Sequence, residues 1–425
     1  MRIAFLIHTA YGIGGTIRTT FNLAEQLATG PGAHEVQIVS VIQDRDRPQL
    51  ALDPRVRLRA LADLRKDSPG SVRDDPRHHR PSAVFPSADR RHAVYSALTD
   101  ELIGRCLAEL DADVVVGTRP GLNVHLARQA PRRLVRVAQE HLTLDTHSTR
   151  LVLALRRRYP ALDAVTTTTE ADAAVYRRRM PAVRVTAVPN SVPPARVAPS
   201  DCSAPVVAAA GRLAEAKRYD DLIRAFAAVS AARPDWTLRL YGSGEKRAEL
   251  AALITALGVG KHVTLMGPAA PLEPELAKAS VLAVTSTTES FGMTIVEGMR
   301  VGLPVVATDC PLGPREIVRD GVDGLLVPPR DVGAIAAALL SLAEDDTRRA
   351  AMGRAALEGS ERYDPALIAG RHLALFQSLL DRRARLGARA RAAVRAGTAR
   401  GLGAFLTVGD VLGAACRIVG RRIAP

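Results

Sequence analysis

The sequence is poor in cysteine, in aromatic residues and in long uncharged apolar runs, and each shortage removes a class of protein. Four cysteines in 425 residues, Cys106, Cys202, Cys310 and Cys416, are scattered without CxxC or Cys/His spacing. That argues against a disulfide framework and a structural zinc site, and it suits a reducing compartment. No uncharged apolar stretch reaches the ~20 residues that span a bilayer. The chain runs from its first residues into a strand-like segment, Arg2–His8, so no signal peptide is read there. The expected location is the cytoplasm, with the inner face of the cell membrane as a peripheral station. Aromatic residues make up 4%, few for the stacking platforms of a nucleic-acid-binding protein.

What is abundant is positive charge, and its placement matters more than its sum. The net charge is +14, and residues 381–425 hold ten arginines against two aspartates. More than half the excess therefore sits in the last tenth of the chain. Such a tail can meet an anionic membrane or an anionic polymer, or can be a solvated basic end. A nucleic-acid partner is the competing reading of the basic pI. It is disfavoured because the excess is concentrated in the tail and no nucleic-acid motif accompanies it.

The length predicts two or three domains. Short apolar runs alternate with helix-like segments, which predicts parallel sheets in an α/β protein. The first series of strands reads Arg2–His8, His34–Ile42, Val114–Thr118, Leu134–Gln139, Ala164–Thr169 and Val183–Pro189. The second runs from Pro205–Gly211 through Thr237–Gly242, Val263–Gly267, Val281–Ser286, Val305–Thr308 and Gly324–Val327. Helices are expected over Thr16–Ala28, Arg91–Leu110, Ala171–Arg179 and Asp220–Arg233. These patterns divide the chain into a first domain over 1–190, a proline-rich linker over 191–204 and a second domain over 205–364. A terminal helix over 365–380 and a basic amphipathic tail over 381–425 complete the chain. The stretch from about 65 to 91, rich in Pro, Asp, Arg and His, reads as a mobile surface loop.

Three constellations carry chemistry. Glu289-Ser290-Phe291-Gly292-Met293-Thr294-Ile-Val-Glu297 joins a buried strand to a helix. A helix start there offers unpaired N–H groups to an anion, and the two carboxylates flank the gap. Gly211-Arg212-Leu-Ala-Glu-Ala-Lys217 follows another strand and offers a guanidinium and an ammonium to a diphosphate. Gly14-Gly15 follows the first strand and lets backbone approach a ligand, although its spacing is neither a dinucleotide nor a P-loop fingerprint. His141, at a strand end in the first half, is balanced between a structural role and a cleft role. The acidic pairs Asp44/Asp46 and Asp111/Asp113 imitate a metal-binding motif. The first leads into a polar loop and the second lies at the wrong end of its strand, so no metal site is expected at either.

Together these motifs, with Tyr241-Gly242-Ser-Gly244 and Gly302-Leu-Pro-Val-Val, resemble family 4 retaining glycosyltransferases of GT-B architecture over about residues 1–380. The resemblance implies two Rossmann-like domains facing a deep cleft, with the terminal helix crossing back to the first. It implies that Arg212 and Lys217 bind the donor diphosphate, Glu289 the donor sugar and Glu297 the ribose. It places Gly14, Gly15, Gly211, Gly242, Ser290, Phe291, Gly292, Met293 and Thr294 around the donor, and His141 beside its sugar. A nucleotide sugar, UDP-linked by family frequency, would be the substrate, with no cofactor and no essential metal. Gln139–His147 and Ala164–Glu170 are loosely similar to enzymes that glucosylate polyol-phosphate polymers. The acceptor would then be a polyol-phosphate, another glycan or a lipid-linked sugar. A GT-B epimerase or phosphorylase is the neighbouring alternative, but no further cleft acids and no pyridoxal lysine are read.

Overall fold

The apolar runs become two separate parallel sheets. A computed structural model of the chain describes residues 1–386 and 388. Met1–His372 form one compact unit that holds both sheets, and a second unit begins at Leu373. The first sheet contains β1 (Arg2–Thr9), β2 (Glu35–Gln43), β3 (Arg57–Asp63), β4 (Val114–Gly117), β5 (Val135–Gln139), β6 (Ala164–Thr167) and β7 (Val185–Ala187). Its order is β3-β2-β1-β4-β5-β6-β7. The second contains β8 (Val206–Ala210), β9 (Thr237–Tyr241), β10 (Val263–Gly267), β11 (Val281–Val284), β12 (Val305–Thr308) and β13 (Gly324–Val327). Its order is β10-β9-β8-β11-β12-β13.

Helices connect the strands. In the first domain these are α1 (Gly15–Thr29), α2 (Ala97–Glu109), α3 (Pro120–Gln129), α4 (Thr149–Arg158) and α5 (Glu170–Arg179). In the second they are α6 (Tyr219–Ala232), α7 (Arg247–Ala256), α8 (Glu273–Leu276), α9 (Met293–Arg300), α10 (Pro314–Ile317), α11 (Val332–Ala343) and α12 (Asp346–Ser360). The strand order reverses between β1 and β4 in one sheet and between β8 and β11 in the other. Chains leave adjacent strands in opposite directions there, which opens a crevice beyond the strands' carboxyl ends. The Gly14-Gly15, Arg212–Lys217 and Glu289–Thr294 loops emerge there, after β1, β8 and β11, whereas His141 follows β5 and Gly242 follows β9.

Three details differ from the sequence reading. The edge strand β3 is absent from it, because Arg57 and Arg59 interrupt the apolar run that marks the interior strands. Helix α2 begins at Ala97 instead of Arg91. Ser96 and Thr99 exchange side-chain-to-amide bonds as a capping box and fix the start there. The segment from about 65 to 91, read as a loop, is anchored. Its Phe85 is buried and stacks on Tyr95 with centroids 3.7 Å apart, and the Asp100 carboxylate accepts bonds from the amides of Ala83 and Val84.

The proline-rich linker is fastened at Val192. Its amide donates to the Tyr363 carbonyl at 3.0 Å, and its carbonyl accepts from Nε of the buried Arg300 at 3.0 Å. The expected terminal helix is present and runs over 365–386. Of the tail expected from 381, residues beyond 388 lie outside the described residues. No helix among the described residues is long and apolar enough to cross a membrane.

Candidate active site

The loops after β8 and β11 are stitched together before any charged group is considered. Thr285 Oγ1 bonds to the carbonyls of Lys217 (3.0 Å) and Arg218 (3.1 Å), and the Thr287 amide donates to the Ala216 carbonyl at 2.9 Å. Arg218 takes a left-handed conformation, φ +50°, held by Glu215 and Asp221, each at 2.9 Å. This bracing aims Lys217 back at the β11 loop. Its Nζ lies 2.6 Å from Glu289 Oε1, which also accepts from Ser286 Oγ at 2.7 Å. Arg212, on the same loop, is exposed and has no ion pair among the described residues.

Two glycines make this approach possible. Gly242 has φ +143°, and a Cβ there would collide with the Gly211 carbonyl. Gly292 caps α9 at φ +108°, a conformation that costs an L-residue with a side chain ~1 kcal/mol or more. Helix α9 then starts at Met293, with its N-terminal amides at the crevice. The Phe291 ring does not face the crevice. It packs edge-on to Tyr363 at 5.5 Å, so only its backbone is left for a ligand. The Ser290 carbonyl accepts from Thr168 Oγ1 of the first domain at 2.7 Å, and Met293 Sδ lies 3.9 Å from Thr19 Oγ1.

Glu297, one turn into α9, is buried and ion-pairs with Arg18 of α1. Burial raises its pKa, and the Arg18 charge opposes that rise. Sequence reasoning missed Arg18. The signal was available: a cation in the first turn of a helix opposes the dipole, and α1 has no acid there to offset it. Gly14 and Gly15 open the same helix, and a Cβ at either would meet nothing within 4 Å.

His141 follows β5 in the first domain and makes no bond to Lys217, Arg212 or Glu289; its Nε2 is buried without a partner. Burial lowers its pKa to about 4, and it lies near enough to His372 for the two charges to repel. Both rings are therefore neutral near pH 7. Beside it, Glu140 is buried against Tyr159 and Asn123, and burial pushes its carboxyl up to about 8. Arginines take up three of these four acids: Arg2 pairs with Asp111 and Asp113, and Arg65 with Asp46 at 2.5 Å. Among the described residues no group of three or more acids, histidines or cysteines could hold a metal.

The structure thus gathers Lys217, Glu289, Glu297 and the α9 start around one crevice, with Arg18 facing them from the first domain. The profile of the family described as Glycosyl transferases group 1 matches residues 204–345, the part of the chain that carries these groups. An exopolysaccharide phosphotransferase of Streptomyces coelicolor is 33% identical over 396 residues, 90% of this chain. The chain spans 41% of that relative's length. TarM of S. aureus, solved with Fondaparinux, alpha-GlcNAc-glycerol and UDP, superposes with a TM-score of 0.71 at 16% identity, over 88% of this chain and 100% of its own. Sucrose-phosphate synthase from Thermosynechococcus elongatus gives 0.72 at 20% identity, over 90% and 100%. Likeness at such identities establishes architecture. The chain has the GT-B fold, and its residues 204–345 match the Glycosyl transferases group 1 family.

Proposed function

We propose that the protein is a retaining hexosyltransferase that moves a sugar from a nucleotide sugar, UDP-linked by preference, to a hydroxyl of a cell-envelope glycan. The observation that carries this reading is the Lys217–Glu289 pair at the start of α9, inside the matched domain. A cation, a helix N-terminus and a carboxylate within one crevice fit a donor's diphosphate and its sugar hydroxyls. The relative named for exopolysaccharide supports a glycan acceptor.

In the reaction, the acceptor oxygen bonds to the anomeric carbon on the face that the diphosphate leaves. The bond from that carbon to the β-phosphate oxygen breaks, and the departing phosphate takes the acceptor's proton. Negative charge grows on the phosphate, where Arg212, Lys217 and the α9 amides stabilise it without a metal. Glu289 holds sugar hydroxyls, Glu297 holds the ribose, and neutral His141 can bond a sugar hydroxyl without adding charge. The backbone at Gly14-Gly15 lies against the acceptor side.

A panel of UDP-, GDP- and ADP-sugars tested by thermal shift and by hydrolysis decides the reading. Stabilisation and turnover with one donor, undiminished in EDTA, are expected. Failure with every donor would sink the enzyme assignment, dependence on added metal would remove the metal-free mechanism, and a trapped glycosyl-enzyme ester at any carboxylate would remove the same-face attack.

A further inference from the structure

Away from the crevice, the anchored 82–92 segment, α3 and α4 enclose a recess of about 270 Å³. Arg128 of α3, Arg157 and Arg158 of α4, and His92 line it, and no aspartate or glutamate does. Arg128 spends one N–H on the Ala83 carbonyl at 2.9 Å, which fixes the rim. Arg157 and Arg158 are exposed and have no ion pair or hydrogen bond within the described residues.

A helix dipole accounts for cations at the end of α4. It does not account for a third arginine that converges on the same hollow from another helix. Like charges crowded around a concave surface repel each other unless an anion joins them. The segment that forms the rim also leads towards the crevice. Burial, with Arg119 and Arg91, lowers the pKa of His8 near the end of β1; burial also lowers that of His147 beyond β5, where Asp89 opposes Arg119 and Arg90. Charges of both signs lie along this stretch, with Asp89 paired to Arg119 at 3.0 Å.

We infer that the recess is a second anion site, which takes a phosphate of a phosphodiester-bearing acceptor chain while another part of that chain occupies the crevice. Arginine's planar fork suits phosphate oxygens, and two unpaired guanidiniums with a third beside them suit an anionic group with several acceptor oxygens. For its occupant this site rests on the glycan-acceptor reading above; for its existence it does not. An extended acceptor held at two points gains local concentration at the crevice, so long chains are preferred over short ones.

The test compares Arg157→Ser/Arg158→Ser with Arg132→Ser/Arg178→Ser. The second pair removes equal charge from exposed, unpaired arginines outside the recess. Linear polyphosphate is the probe, titrated against the full chain at moderate salt, with anionic phosphatidylglycerol vesicles as the second arm. Polyphosphate affinity is expected to fall about tenfold or more in the recess variant and less than about twofold in the control. Equal losses in both variants, or no loss in either, overturn the site. Loss of vesicle binding with polyphosphate binding retained also overturns it, in favour of a lipid surface. UDP titrated into the same variants separates this from the donor reading. Unchanged UDP affinity with lost polyphosphate affinity supports both readings. Wild-type protein that discriminates polyphosphate but ignores every nucleotide keeps the recess and removes the donor site.

Discussion

At Glu297, burial and pairing pull in opposite directions. Removing Arg18 leaves a buried carboxylate uncompensated, so Arg18→Ala is expected to raise the pKa of Glu297 and to lower stability by about 1–2 kcal/mol, less than for a fully buried pair because Arg18 is partly exposed. If ribose is the natural partner, the same variant binds UDP a few-fold more tightly, whereas Glu297→Ala weakens it by roughly tenfold or more. Calorimetric titration of both variants checks this, and equal weakening would rule out exchange between Arg18 and ribose. Lys217→Ala is expected to cost ~10²-fold or more in kcat, because its charge is aimed at the leaving group. Glu140 gives a prediction with a definite sign. Its folded pKa of about 8 lies above the ordinary 4.5, so the folded state holds the proton more tightly. That stabilisation is complete below the unfolded value and is lost as pH rises through about 8. Urea midpoints measured from about pH 5 to 9 should therefore decline in the wild type and flatten in Glu140→Gln. The residue scale is also where the sequence was least legible. Glu289 and Lys217 stand out as motif residues, but their mutual pairing depends on Thr285 and Thr287 stitching two distant loops, which no spacing reveals. Arg18 belongs to no motif and becomes visible only when the second domain supplies its carboxylate.

Among the elements, interior strands were the most legible, because burial on both faces leaves near-continuous apolar runs such as Val114–Val116 and Val281–Val284. The edge strand β3 was not, since one side has no partner strand and its arginines read as loop. The start of α2 was not either, because the capping box at Ser96 and Thr99 went unread. Glycine positions separate fold from function at this scale. Gly242→Ala forces a side chain into the Gly211 carbonyl at a left-handed φ, and a loss of about 2 kcal/mol or more is expected in thermal unfolding. Gly14→Ala meets open space and is expected to unfold within about 0.5 kcal/mol of wild type. A drop in transfer rate for Gly14→Ala without a stability change would place a substrate against that turn. Unchanged rate would mark it as a plain connection.

For the molecule as a whole, the two sheets are held facing each other by a few polar contacts. Glu316 of α10 accepts from the amides of Glu170 (2.9 Å) and Ala171 (2.8 Å), so an acid of the second domain caps α5 of the first. Asn22 Nδ2 reaches the Ser191 carbonyl at 3.3 Å, and Thr168 reaches Ser290. Removing the cap in Glu316→Ala should cost about 1 kcal/mol of closure. A larger radius of gyration by small-angle scattering and a raised KM for the donor are expected; an unchanged radius would show that the cap does not set the closed state. The two crevice ion pairs have a further consequence. Lys217 with Glu289 and Arg18 with Glu297 cancel each other's charge before any substrate arrives. A lone phosphate or sulfate ion can meet Arg212, but to gain Lys217 or Arg18 as well it must break one of these pairs, and it offers nothing to the carboxylate it releases. A nucleotide sugar releases both carboxylates and supplies hydroxyls to each. Discrimination against the inorganic anions of a phosphate-rich medium is thereby built into the resting protein, and turnover should tolerate phosphate buffer far better than bare cations in the crevice would allow.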